Sequence, residues 1–172
     1  MSDSTRLSEL VQLAQTGNVE AFGHLYDRTA RLIRAVATDA GSDMAEDVTH
    51  DTFLRAYRSL GTLKDPERFV PWLVGIARLI VKERRRVRRF DLLPSELPAK
   101  HQSLDDDTDE LLALVARLPE DERLAVRFFF LNERSIDETA RLLDRSRSGT
   151  YAILQRAKAK LARWLTSCEV KS

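Results

Sequence analysis

Apolar residues in this chain recur at spacings of three and four from end to end, while alternation with period two is scarce. Such spacing gathers apolar side chains into one stripe of a helix and leaves little that would form a strand. An all-α protein is therefore predicted. Leu7, Leu10, Val11 and Ala14 make a first stripe, stopped near Gly17-Asn18. A second runs through Val19, Phe22, Leu25, Tyr26, Thr29, Leu32, Ile33 and Val36, and fades toward Gly41. The third opens at Ser42-Asp43, either of which can cap it with Glu46 answering from the first turn, and carries Met44, Val48, Phe53, Ala56, Tyr57 and Leu60 before Gly61. Asp65-Pro66 then starts a helix bearing Phe69, Trp72, Leu73, Ile76, Ala77 and Ile80, irregular at first because of Pro71. It ends in Lys82 to Arg89, six bases against the single acid Glu83, more cation than a helix C-terminus requires.

Residues 91–107 break the periodicity with Pro94, Pro98, Ser95 and Ser103, and close on Asp105-Asp106-Asp107. Their composition is that of a linker. Helical spacing resumes from Thr108 to Leu118, and Pro119 followed by Glu120-Asp121-Glu122 starts another helix with acids at its positive end. The expected organisation is two small helical domains, 1–90 and 108–172, joined by an acidic linker.

The stretch from Ser135 to Leu161 carries the chemistry. Ser135 and Glu138 form a capping box, and a short helix follows with Ile136, Ala140 and Leu143 inward. Asp144 stands at a turn that tolerates the left-handed conformation, and Ser146 can cap a second helix with Ile153 or Leu154, Ala157 and Leu161 inward. Short helix, tight turn and second helix make the C-terminal domain a helix-turn-helix. From Arg141 to Arg163 seven bases face one acid, Asp144. Helix-turn-helix spacing together with that charge points to duplex DNA, bound by phosphate neutralisation and a few base-edge contacts.

Composition narrows the classes further. A net charge of +1 in 172 residues argues against a uniformly basic nucleic-acid binder, yet it is a sum of large opposites along the chain. One cysteine, Cys168, cannot form an internal disulfide and suits a reducing compartment. The first ten residues lack the apolar core of a secretory leader, and the most apolar run, 70–81, is far shorter than the roughly 20 residues of a membrane span. A cytoplasmic protein without membrane insertion is expected. His24, His50, His101 and Cys168 show no metal-ligand spacing, and no glycine-rich phosphate loop appears, so neither cofactor, metal nor enzymatic activity is expected.

Three segments together resemble a known family. Ala45-Glu46-Asp47-Val48-Thr49-His50-Asp51-Thr52-Phe53-Leu54-Arg55-Ala56-Tyr57, then Phe69-Val70-Pro71-Trp72-Leu73-Val74-Gly75-Ile76-Ala77-Arg78 with its basic tail, then Leu118-Pro119 onward through Ser135 to Leu161 are similar to the extracytoplasmic-function (ECF) sigma factors of bacterial RNA polymerase. The resemblance spans residues 10–165 and implies a subunit that gives core polymerase its promoter specificity. It implies that the helix of Glu46, Asp47, Asp51, Leu54 and Tyr57 docks on the clamp coiled coil of the β′ subunit, with the β flap as a second polymerase contact. It implies that the loop holding Leu63, Lys64 and Asp65 captures a flipped base of the −10 element. Trp72 with Arg84, Arg85, Arg86, Arg88 and Arg89 would bind the unpaired strand. Arg145, Arg147, Ser148, Tyr151, Arg156 and Lys158 would meet the −35 element. The acidic linker would thread toward the RNA path, and an anti-sigma factor is a further partner such proteins have.

The chain departs from the family at several points. Ser148 stands where glycine is usual, Tyr151 and Ile153 where lysine and arginine are usual, and Leu79 and Glu83 where many members have asparagine. These changes leave the promoter sequence open. The competing class is a helix-turn-helix repressor or activator that acts alone on symmetric half-sites.

Overall fold

The computed structural model describes residues 3–91 and 106–169, with side chains at 7–41, 43–87 and 111–166. Among them every regular element is helical. Two compact units, Met1–Ser95 and Glu96–Ser172, divide the chain.

The first unit holds α1 (Asp3–Gln15), α2 (Val19–Ala37), α3 (Ala45–Ser59) and α4 (Phe69–Asp91). Val11, Leu25, Ile33, Val48, Ala56, Phe69, Leu73 and Ala77 bring one stripe from each helix into a common core. Gly17, at φ +95, ends α1 in a conformation that side chains disfavour, and Asn18 caps α2 by accepting from the Ala21 amide at 2.9 Å. Thr29, Thr49 and Thr52 are buried, each with its hydroxyl donating to the carbonyl four residues back at 2.7 Å, so none of these three hydroxyls is stranded. Gln15 ties the end of α1 to the α3–α4 connection, donating to the Leu60 and Leu63 carbonyls at 3.0 and 2.8 Å.

The expected side-chain cap of α3 is not there. Residues 42–44 wind into a 3₁₀ turn first, and the N-cap position falls to Met44, which supplies no cap hydrogen bond. Met44 instead packs on the cluster of Ala37, Ala40, Ala45, Val48, Ile80 and Val81, so burial at this corner outweighs capping. Asp65 does cap, accepting from the Glu67 amide at 3.0 Å, although the turn it opens is a 3₁₀ turn over Pro66–Arg68 and α4 proper starts at Phe69. Pro71 then sits in the first turn of α4, where a missing amide costs little.

The second unit holds α5 (Asp106–Ala116), α6 (Glu120–Val126), α7 (Ile136–Leu143) and α8 (Arg147–Glu169), with a π-turn over Arg127–Leu131. Helix α5 therefore begins inside the segment assigned to the linker; residues 92–105, the rest of it, lie outside the described residues. Leu114, Leu118, Leu124, Phe128, Leu143, Ile153 and Ala157 form the core. Arg123 is buried and donates to the Leu118 and Ala116 carbonyls at 2.7 and 3.3 Å, closing the exposed end of α5. The Arg117 guanidinium lies 5.0 Å from the Trp164 ring centroid.

Helices α7 and α8 make the expected helix-turn-helix. Ser135 accepts from the Glu138 amide at 3.2 Å while the Glu138 carboxylate accepts from the Ser135 amide at 2.9 Å. Asp144 is left-handed at φ 53, ψ 49, and Ser146 accepts from the Gly149 amide at 3.1 Å to start α8. Hydrogen bonds from Ser135 hold the Glu138 carboxyl below its ordinary value of 4.5. The box therefore contributes fully above that value and is lost as pH falls through the depressed one. Ser135→Ala should cost about 1 kcal/mol in urea unfolding at neutral pH. It should also flatten the acid limb of stability, as measured by repeating the titration between about pH 3 and 6.

Candidate nucleic-acid and polymerase interfaces

On α3, residues one and two turns apart share a face. Glu46 and Asp47 are exposed there, and Leu54 and Tyr57 remain 43% and 48% exposed although both are large and apolar. Phe53, by contrast, is buried and belongs to the core. It lies 4.5 Å from the Tyr26 ring of α2, while Tyr57 packs edge-on to Phe22 at 4.9 Å, so the exposed rings are held rather than loose. Acid beside fixed aromatic surface has the chemistry that would suit a basic, apolar partner helix.

Asp51 lies on the same helix but faces α4, where it is ion-paired with Arg84. One turn on, Arg55 donates two parallel bonds to Glu83 at 3.0 and 3.1 Å, which raises the guanidinium pKa still further. A residue expected to meet polymerase and one expected to meet DNA are thus each other's partners. All four side chains are two-fifths to one-half exposed, so each pair contributes only about 0–1 kcal/mol and yields to a stronger partner. Glu83, one of the departures from the family pattern, takes part in this latch.

The loop between α3 and α4 needs one correction. Leu63 is buried, so its side chain serves the core and only Lys64 and Asp65 are presented outward. An apolar residue between Leu60 and Phe69, both buried, had somewhere to go. Asp65 is occupied as the cap of the following turn. Phe69 is fully buried and Trp72 half-buried 6.1 Å from it, leaving Trp72 as the ring with surface to offer. Arg85 and Arg86 are exposed, and the side chains of Arg88 and Arg89 lie outside the described residues.

In the second unit the basic residues of the helix-turn-helix meet acids of α6 and α7. Arg145 reaches Asp121 at 3.0 Å and Arg147 reaches Asp137 at 3.6 Å. Lys160 donates to both oxygens of Glu122 at 2.8 and 2.9 Å, and Arg156 stands 3.7 Å from the same carboxylate. The Glu122 side chain is only 8% exposed. Lys160, one of the seven bases from Arg141 to Arg163, therefore works as a strut between α8 and α6. The sequence had marked Glu122 only as a helix-start acid, yet Leu118, Ala125 and Val126 at helical spacing put position 122 inward. Ser148, Tyr151 and Lys158 are exposed, and Ile153 is buried and belongs to the core. Among the described residues no group of three histidine, cysteine or acidic side chains is gathered for a metal, and no helix is long and apolar enough to cross a membrane.

The family pattern described as sigma-70 region 2 matches residues 25–90, and that described as sigma-70, region 4 matches residues 108–161. The ECF RNA polymerase sigma factor BldN of Streptomyces coelicolor is 35% identical over 178 residues, spanning 95% of this chain and 67% of that protein. The chain belongs to the ECF sigma factors. The ECF RNA polymerase sigma factor SigM of Mycobacterium tuberculosis is 29% identical, across 92% of this chain and 84% of that one. Among solved structures, CnrH, described in complex with the cytosolic domain of CnrY, shares the fold at a TM-score of 0.69 and 24% identity, covering 94% of this chain and 98% of that one. As a member of the family, this sigma factor directs promoter-specific transcription.

Removing the carboxylate that holds two cations tests the strut. Glu122→Ala should destabilise the second unit by about 1–3 kcal/mol in urea unfolding followed by circular dichroism. The cost stays below that of a sealed ion pair because Lys160 is one-third exposed and can turn to water.

Proposed function

We propose that the sigma factor binds core RNA polymerase through the exposed face of α3 and contacts the promoter at two places, with α4 and its preceding loop at the −10 element and with α8 at the −35 element. The observation that carries this division of labour is the sorting of charge by face. Glu46 and Asp47 stand beside exposed Leu54 and Tyr57, which suits the clamp coiled coil of the β′ subunit. Exposed Phe130 and Leu131 in the π-turn, 58% and 54% accessible, offer apolar surface to the β flap. Lys64, Trp72, Arg85 and Arg86 offer a cationic surface with one ring for the unpaired strand, and Arg145, Arg147, Tyr151 and Lys158 surround the duplex site.

On this division of labour the protein is a non-catalytic subunit, working in the cytoplasm where polymerase is. Its acids and bases already satisfy one another in part, so polymerase and promoter compete with internal partners. An anti-sigma factor that covered the α3 face would hold the protein off polymerase by occupying the same surface. A repressor acting alone would instead need symmetric half-sites and no polymerase.

Asp47→Arg should lower affinity for core polymerase by about tenfold or more, the equivalent of about 1.4 kcal/mol, with helicity unchanged. Asp47 is the better probe than Asp51 because charge reversal at Asp51 would also repel Arg84. Equal affinity in a pull-down titration would count against the α3 face. Arg147→Ala should reduce the slope of log affinity against log salt for upstream duplex by about 0.9 if one phosphate contact is lost. An unchanged slope would remove Arg147 from the phosphate contacts. Initiation at promoter templates by core polymerase only when this protein is added tests the function as a whole.

A further inference from the structure

An α-helix turns 100° per residue, and the inner face of α8 is marked by buried Thr150, Ile153, Leu154 and Ala157. The opposite strip carries Ser148, Ala152, Gln155, Ala159 and Ala162, all of them exposed and none charged. Arg147 and Lys158 flank the strip on one side, and Arg156 and Lys160 flank it on the other. A helix lying in a major groove turns its outermost strip to the base edges and its flanks to the two phosphate walls. Arg147 and Lys158 thus sit where one phosphate wall would be, the opposite flank is engaged with Glu122 of α6, and the uncharged strip sits where bases would be.

Little on that strip can read a base. The alanines have no polar side-chain atom, and Ser148 shares a hydrogen bond of 3.3 Å with the capping Ser146. Gln155 is its one long polar side chain. The alanines three residues before and four after it leave no bulk to hold the helix away from the groove floor. A carboxamide presents a donor and an acceptor side by side, which matches the N7 acceptor and N6 donor of adenine; guanine, with two acceptors there, calls for arginine or lysine.

Resting on the proposed function and deepening it, we infer that Gln155 is a specificity-determining residue of this sigma factor and reads an adenine in the upstream promoter element. The residue lies outside the basic set that charge alone picks out, since it carries none.

The test uses the full chain with core polymerase and a duplex library randomised over the upstream element. Wild type should enrich adenine at one position of the element. Gln155→Ala should reduce that preference by about 5- to 150-fold, corresponding to one lost bidentate contact, and leave the other positions and the salt slope unchanged. Gln155→Glu should move the preference at that position to cytosine, whose N4 amine donates to a carboxylate. Both substitutions are at an exposed helical position, and circular dichroism checks that each variant folds. Unaltered base preferences in both variants would overturn the assignment, and so would a loss confined to a position where wild type selects a base other than adenine. Wild-type holoenzyme that enriches no sequence at all would overturn the proposed function, and the assignment with it.

Discussion

Burial obliges the charge on Glu122 to find partners inside the protein, and those it takes set where α8 lies. A carboxylate 8% exposed would cost several kcal/mol if left ionised and alone. Lys160 closes on both of its oxygens and Arg156 stands behind, so α8 is held to α6 by charge as well as by the apolar contacts of Leu124, Ile153 and Ala157. With that flank of α8 held against α6 and its inner face buried, the strip containing Gln155 is the one left outermost. The uncharged strip and the anchored flank are two consequences of one packing decision.

In the first unit the same chemistry acts more weakly. Asp51 with Arg84 and Arg55 with Glu83 bridge α3 and α4 in half-exposed pairs, each small against the core formed by Phe69, Leu73 and Val48. Such pairs orient side chains cheaply and release them cheaply. They also place α3, proposed to meet polymerase, and α4, proposed to meet the unpaired strand, in electrostatic contact. The net charge of +1 has its physical meaning here: the acidic and basic blocks are partly spent on one another.

Much of the local structure was legible because it is governed by short-range rules. The Ser135–Glu138 box, the left-handed Asp144 and the Ser146 cap each depend on residues within four positions, and all three hold. The helix-turn-helix could therefore be located before any packing was known. Local rules failed where tertiary contacts outbid them. Met44 took the start of α3 because the alanine-rich corner at Ala37, Ala40 and Ala45 buries it, and Leu63 turned inward beside Leu60 and Phe69. The π-turn at Arg127–Leu131, closed by the Asn132 amide on the Arg127 carbonyl at 2.9 Å, had no counterpart in the apolar periodicity.

By itself the sequence determined the all-α class, the succession of helices, the helix-turn-helix and the family, because periodicity, caps and motif order are properties of neighbouring residues. Which charges face a partner and which face the protein was decided only by tertiary structure. Asp51, Arg84, Glu122 and Lys160 cannot be told from freely solvated charges along the chain, since ion pairing joins residues 33 and 38 positions apart. The physical reason is reach: a helix sorts its faces within a few residues, whereas an ion pair forms only after packing has brought two helices together.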